Sequence, residues 1–225
     1  MPVALPRLIF TILIIMANVS SVYPYPASAP RRVGILLAAG QGSRYALHRP
    51  GADKLLAPLS QGVCVAVASA RALRAAVDMV IAVVRPGSSV LAGLLRADDC
   101  DVLETDRAGE GMGASLAAAA QYIQAFPHVP QSVLVALADM PWIRPATLER
   151  VLDALRHAPM AAPSYQGQRG HPVGFGAELL PQLAILSADE GARRLLKQPG
   201  LCLVEVDDPG VLRDVDTPAD LDGAG

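Results

Sequence analysis

Residues 33–45 read VGILLAAGQGSRY, an unbroken apolar run that stops at Gly40, Gly42, Ser43 and Arg44. A continuous aliphatic run bounded by glycines predicts a strand buried on both faces, here Val33–Ala39. A strand that empties into a glycine turn turns its backbone N–H groups toward an anion, most often a phosphate. The loop is not a P-loop, because no Gly-Lys-Ser/Thr follows four spacers. It is not a dinucleotide fingerprint either: the third glycine is missing, and no helix is expected to start at once. A tight turn without a ligand would explain the glycines alone. The cations tip the balance toward an anion site. Arg44 lies in the turn, and Lys54, one of only two lysines with Lys197, follows ten residues later.

Outward from this stretch, apolar strands alternate with helical patterns. Strands are expected at Met79–Val84, Asp101–Glu104 and Val133–Ala138, and helices at Val63–Val77, Ser88–Arg96, Met112–Ala125 and Pro145–Arg156. Aliphatic strands separated by helices imply a three-layer α/β fold, with a mostly parallel sheet and helices on both faces. A smaller C-terminal part follows, with strands at Gly170–Phe175 and Leu201–Val206, a helix at Asp189–Lys197, and loops from Asp207 to Pro218. It is expected to cover one end of the sheet. In such sheets ligands bind beyond the carboxyl ends of the strands, where Gly40–Arg44 and Asp139 both fall.

The 225 residues suit one substantial core, and an apolar content of 52% with 4% aromatics suits helices packed on a buried sheet. A formal charge of −2 gives no basic field for nucleic acid. Cys64, Cys100 and Cys202 lie far apart, against a disulfide framework or structural zinc. Residues 1–30 form an apolar extension in which Arg7 precedes an apolar run and Ala27-Ser28-Ala29 resembles a cleavage site. The run is too short for a stable membrane span. Export is one explanation; a start assigned too far upstream, or a loose extension, is another. The fold argument concerns residues 31–225 as a single domain.

Asp139, in LVALADMPWI, follows a buried strand directly and can ligate magnesium on a nucleotide, since magnesium takes one or two protein carboxylates with phosphates and water. It can equally be a turn aspartate. A second carboxylate could come from Asp214 or Asp216 in RDVDTPAD, although Asp216-Thr217-Pro218 also reads as the start of a short helix.

Taken in order, LAAGQGSR (37–44), KLL (54–56), GMGASL (111–116), ADMP (138–141), RGHPVGF (169–175) and DVDTPAD (214–220) resemble the motifs of the molybdenum-cofactor cytidylyltransferase (MocA-like) family. That family sits among nucleotidyltransferases of the nucleotide-diphospho-sugar transferase, or glycosyltransferase-A-like, fold. The resemblance implies that Leu37, Ala38, Ala39, Gly40, Gly42 and Ser43 form a nucleotide loop, with Arg44 and Lys54 as the catalytic cations on the triphosphate. It implies that Gly111, Met112, Gly113 and Ser115 approach the base, and that Asp139 and Asp216 hold Mg2+. Arg169, Gly170, His171 and Pro172 would face a molybdopterin acceptor, with Arg169 and His171 on one face of a strand. A helix N-terminus also explains Gly113–Ser115, and helix capping explains Asp189–Arg193.

The implied reaction is cytoplasmic transfer of CMP from CTP to the phosphate of molybdopterin, with release of pyrophosphate; a molybdoenzyme or its chaperone would be the protein partner. Guanylyl transfer from GTP is the rival, but guanylyl relatives tend to show Ala-Gly-Gly where this chain has Ala38-Ala39-Gly40, and lack GMGxSL. Another phosphorylated acceptor would change only the acceptor pocket. A non-catalytic maturation partner would have lost Arg44, Lys54 or Asp139, and all three are present. Residues 45–53 make a longer approach to Lys54 than the family pattern, and the apolar extension departs from it too.

Overall fold

The computed structural model describes residues 30–40, 42–187 and 193–221. The apolar segment 1–29 and most of the Asp189–Arg193 motif lie outside the described residues. Eight strands form one mixed, mostly parallel sheet: β1 Arg32–Leu37, β2 Met79–Val84, β3 Asp101–Glu104, β4 Ser132–Leu137, β5 Met160–Tyr165, β6 Gln168–Arg169, β7 Val173–Gly176 and β8 Leu201–Glu205. The strands β3, β2, β1 and β4 run parallel in that spatial order. Then β7 pairs antiparallel with both β4 and β5, and β8 runs parallel to β5.

The helices are α1 Ser43–His48, α2 Val65–Arg74, α3 Ser89–Ala97, α4 Met112–Gln124, α5 Pro145–Ala154 and α6 Leu180–Ala184. Alternation along β1 assigns the two faces. Leu36 packs with α2, α3 and α5 through Leu73, Leu91, Leu95, Leu148 and Val151. Val33 and Ile35 point the other way, onto Leu116, Ile123, Leu180 and Leu183 of α4 and α6. Each such leucine is essentially sealed from water, so truncating one to alanine should cost about 2–5 kcal/mol. Pro145 begins α5, where its missing N–H is no loss.

Three expectations change, and two elements appear that the sequence pattern did not announce. A helix does start directly after the glycine turn, because Gly42, at φ +59°, is a left-handed N-cap that turns the chain into α1. Strand β5 contains Ala-Ala-Pro and lacks β-branched residues, so its sequence hides it; it is held by three neighbours instead. Helix α6 is a short turn buried by Leu180 and Leu183 rather than a periodic segment. Of the expected strand Gly170–Phe175, Gly170–Pro172 form a break and the rest belongs to β7; β6 lies before the break, and the two run along successive parts of the same edge of β5. Of the helix expected at Asp189–Lys197, the described part is a 3-10 turn at Leu195–Lys197.

Candidate active site

The glycine loop and the Asp139 turn leave the sheet side by side. The Ala38 N–H donates to the Val83 carbonyl at 2.9 Å, and the Ala138 N–H to the Leu37 carbonyl at 3.1 Å. The longer approach 45–53 is taken up by α1 and a turn, after which Asp53 accepts the Leu55 N–H at 3.0 Å and caps the 3-10 turn Lys54–Leu56. Lys54 is thereby returned to the strand ends. Its ammonium donates to Asp139 Oδ2 at 2.6 Å and to Asp216 Oδ1 at 3.4 Å. Arg44 pairs with Asp216 through the other oxygen. Burial works to lower the Lys54 pKa, but the hydrogen bond and charge of Asp139, with the charge of Asp216, outweigh it and leave the value raised.

Asp216 is freed for this role because a neighbour does the capping. Asp220 accepts the N–H groups of Asp216 and Thr217 and the Thr217 hydroxyl, which holds its own carboxyl below the usual range. Among the described residues Asp214 makes no ion pair. Burial and then the charges of Asp216 and Asp139 raise its pKa. So Asp216, of the two alternatives, meets Asp139 across Lys54.

A strap from Asp207 to Asp216 organises this end of the sheet. Asp208, 2% exposed, accepts the Thr147 hydroxyl at 2.7 Å, the Arg144 N–H at 2.9 Å and the Gly210 N–H at 3.0 Å. Farther along, the Val215 N–H donates to the Asp139 carbonyl at 2.8 Å. Both carboxylates of the lysine pair thus rest on one scaffold.

Two contiguous cavities open here. The first, about 300 Å³, is lined by Ala39, Gly40, Lys54, Gly111, Ser115 and Asp139. The second, about 530 Å³, is lined by Arg169, His171, Val173, Phe175, Arg193 and Leu196; Leu37, Met112 and Leu137 border both. Gly113 and Ser115 are buried in the first turn of α4, and Gly113 borders the second cavity. Arg169 is exposed on β6 and His171 lies in the break, so a common strand face does not relate them; the shared cavity does. His171 Nδ1 is buried without a hydrogen-bond partner. Burial, then the Arg169 charge, lower its pKa to about 4, so the ring is neutral at physiological pH. Gly170 is buried against the Val211 carbonyl, which a Cβ would strike, and Pro172 is buried too; these two residues shape the break.

Arg85, at the end of β2, carried no motif in the sequence. It donates to the Gly40 carbonyl at 3.4 Å and faces Asp53 at 3.5 Å, linking the glycine loop to the lysine turn. Its position after a buried strand on the same sheet edge was the available signal. A further cavity of about 590 Å³ opens at the opposite end of β1 and β4, among Arg31, Arg32, Asp78 and Arg156. There Asp78 already accepts the N–H groups of Arg31 and Arg32. His48, His128 and His157 are exposed, as expected.

A divalent metal fits the pair. Asp139 Oδ1 is buried and unpartnered, Asp216 is its neighbour across Lys54, and hard carboxylate oxygens suit magnesium or manganese. No helix among the described residues is long and apolar enough to cross a membrane.

Residues 34–203 match the model of the MobA-like NTP transferase domain. The nicotine blue oxidoreductase of Paenarthrobacter nicotinovorans is 30% identical over 198 residues, covering 84% of this chain and 93% of that protein. A nucleotidyl transferase from Methanothermobacter thermautotroptrophicus superposes with a TM-score of 0.70 at 26% identity, over 84% of this chain and 94% of the other. Rv0371c from Mycobacterium tuberculosis H37Rv, in complex with manganese, superposes with a TM-score of 0.68 at 26% identity, over 84% and 95%.

Proposed function

Since the chain belongs to the MobA-like NTP transferase domain family and is a nucleotidyltransferase, we propose that it transfers CMP from CTP to the phosphate of a molybdopterin-type cofactor. The observation that carries this reading is Lys54 bridging Asp139 and Asp216 beside the glycine loop. An acceptor phosphate oxygen attacks the α-phosphorus of CTP; the bond to the β-phosphate oxygen breaks, and pyrophosphate leaves in line. An ionised phosphate needs no general base, so placement and charge neutralisation supply the rate. The Gly40–Ser43 amides, Arg44 and Lys54 hold the triphosphate, and the GMGASL turn approaches the base. Asp139 and Asp216 would hold Mg2+, which when bound neutralises charge on the transferring and leaving phosphates.

The second cavity takes the acceptor. Arg169 supplies charge for its phosphate, and neutral His171 offers a hydrogen-bonding nitrogen among apolar walls. Residues 31–225 act as one cytoplasmic domain, with a molybdoenzyme or its chaperone as the receiver of product. GTP as donor is the alternative that keeps every contact except those to the base.

One experiment tests the proposal. Purified protein is offered molybdenum cofactor and magnesium with CTP or GTP, and pyrophosphate is measured. Pyrophosphate with CTP supports the proposal, pyrophosphate with GTP changes the base, and pyrophosphate with neither overturns the assigned acceptor.

A further inference from the structure

Three of the four oxygens of Asp139 and Asp216 are already taken by cations of the chain itself. Lys54 holds Asp139 Oδ2 and Asp216 Oδ1, and Arg44 holds Asp216 Oδ2. The fourth, Asp139 Oδ1, is buried with no hydrogen-bond partner. The Lys54 side chain is 11% exposed, so this is an enclosed bridge and not a surface pair. Its ammonium lies between the two carboxylates, where a metal bound by both would lie.

From this arrangement we infer that Lys54 and Arg44 are place-holders, which yield Asp139 and Asp216 to a divalent cation only when a nucleoside triphosphate draws them away. The inference rests on the nucleotidyl-transfer reading. Its consequence is that metal and nucleotide bind as a coupled pair, each weakly without the other.

Charge balance argues for it. Two carboxylates and two cations form a compensated cluster, and a metal arriving alone would add a double positive charge to a half-buried site. A triphosphate arriving alone would face both carboxylates. Arriving together, they exchange partners: the phosphates take the ammonium and guanidinium, and the carboxylates take the metal. The ligand inventory agrees. Among the described residues no three metal-type side chains converge, so the protein offers two carboxylates, and phosphate and water must complete the shell. The path is short as well. The Lys54 stem runs past the glycine turn, with its Cγ 3.5 Å from where a Gly42 Cβ would stand, and Gly40, Lys54 and Asp139 line one cavity. Lysine, a mobile point charge on a flexible stem, suits an exchange that a fixed fork would resist.

The test needs no turnover. Mn2+ binding to the purified full chain is measured by calorimetry and by the loss of free-ion EPR signal, for the wild type, Lys54→Met, Arg44→Met and Arg107→Met. Without nucleotide, Lys54→Met is expected to bind Mn2+ at least about tenfold more tightly than wild type, and Arg44→Met by a smaller factor. Arg107→Met removes a charge in the turn beside the first cavity that pairs with Glu110 and with neither carboxylate, and should change little. Equal affinity in wild type and Lys54→Met overturns the inference, as does an equal gain in Arg107→Met, which would reduce it to general charge repulsion. Should Lys54→Met not fold, unchanged affinity in Arg44→Met overturns it. With CTP or GTP added, and ion bound by free nucleotide subtracted, wild-type Mn2+ affinity should rise at least about tenfold, and less in Lys54→Met. Failure of both nucleotides to bind would sink the nucleotidyl-transfer reading, while the metal-only comparison would still decide the exchange.

Discussion

The backbone N–H of His171 donates to the carbonyl of Val211 at 2.9 Å, which ties the break between β6 and β7 to the strap that continues to Asp216. The floor of the second cavity and the carboxylates of Asp139 and Asp216 are therefore not independent. A displacement of Val211 reaches both. Gly170→Ala should produce that displacement, because its Cβ meets the Val211 backbone. Overpacking of this kind costs about 1–3 kcal/mol, read from urea midpoints, and acceptor KM should rise with it. A variant with wild-type stability and KM would show that the strap adjusts freely.

Arg44→Ala and Lys54→Ala should each lower turnover by about 10²–10³, the loss that follows removal of one well-placed charge from such a transition state. The Arg44 side chain is 74% exposed, so its thermal midpoint should scarcely move. Unchanged turnover with a lower midpoint would assign these residues to folding alone.

Asp139→Asn keeps the shape of the turn and removes the charge. On the proposed reading, in which Asp139 and Asp216 would both hold the metal, the magnesium or manganese concentration for half-maximal rate should rise by about tenfold or more. An unaltered metal dependence would take Asp139 out of the site.

His171 is held neutral by burial and by Arg169, at a pKa of about 4 against 6.5 for the free side chain. The unfolded chain therefore binds a proton at higher pH than the folded one. The stability this supports is complete above about pH 6.5 and is lost as pH falls toward 4. Between those limits the wild type should lose on the order of 1–3 kcal/mol that His171→Gln retains, by thermal or urea unfolding. Parallel pH profiles for the two proteins would contradict the neutral assignment.

Arg85→Ala removes the link between the Gly40 carbonyl and Asp53. Losing hydrogen bonds worth about 0.5–1.5 kcal/mol should raise the KM for the nucleotide by roughly three- to tenfold, with a smaller effect on kcat. A selective loss of kcat would instead give Arg85 direct contact with the reacting phosphates.

Much of the first half of the sheet was legible because its strands are aliphatic runs of the right length, and the motifs at their ends name the edge where ligands gather. Asp139 and Lys54 could be paired from sequence as residues of one edge. Their 2.6 Å contact could not, because 85 residues separate them and the register of β1 on β4 decides it. The residues alone left Asp214 and Asp216 open and the motif resemblance pointed to Asp216; the Asp220 bonds that take over the capping are seen only in the folded strap. Strand β5 was illegible for a different reason: Ala, Pro and Ser become a strand when three neighbours supply the hydrogen bonds. The break at Gly170–Pro172 was written in the sequence as Gly-His-Pro, yet the apolar pattern on either side read through it.

The reversed strand β7 divides the sheet into two parts with different work. On one side β1 to β4 carry the glycine loop, Asp139 and the α4 turn; on the other, β6 and the break before β7 bring Arg169 and His171 to the second cavity, against a wall of Leu37, Val135 and Leu137 from the near side. The β4–β7 ladder, the strap, and helix α5 packed on β5 and β8 join them. A lineage can therefore rebuild the far side for a new molecule while the near side keeps its hold on the nucleotide. Exchanging residues 158–206 between relatives is the corresponding route for redirecting the enzyme.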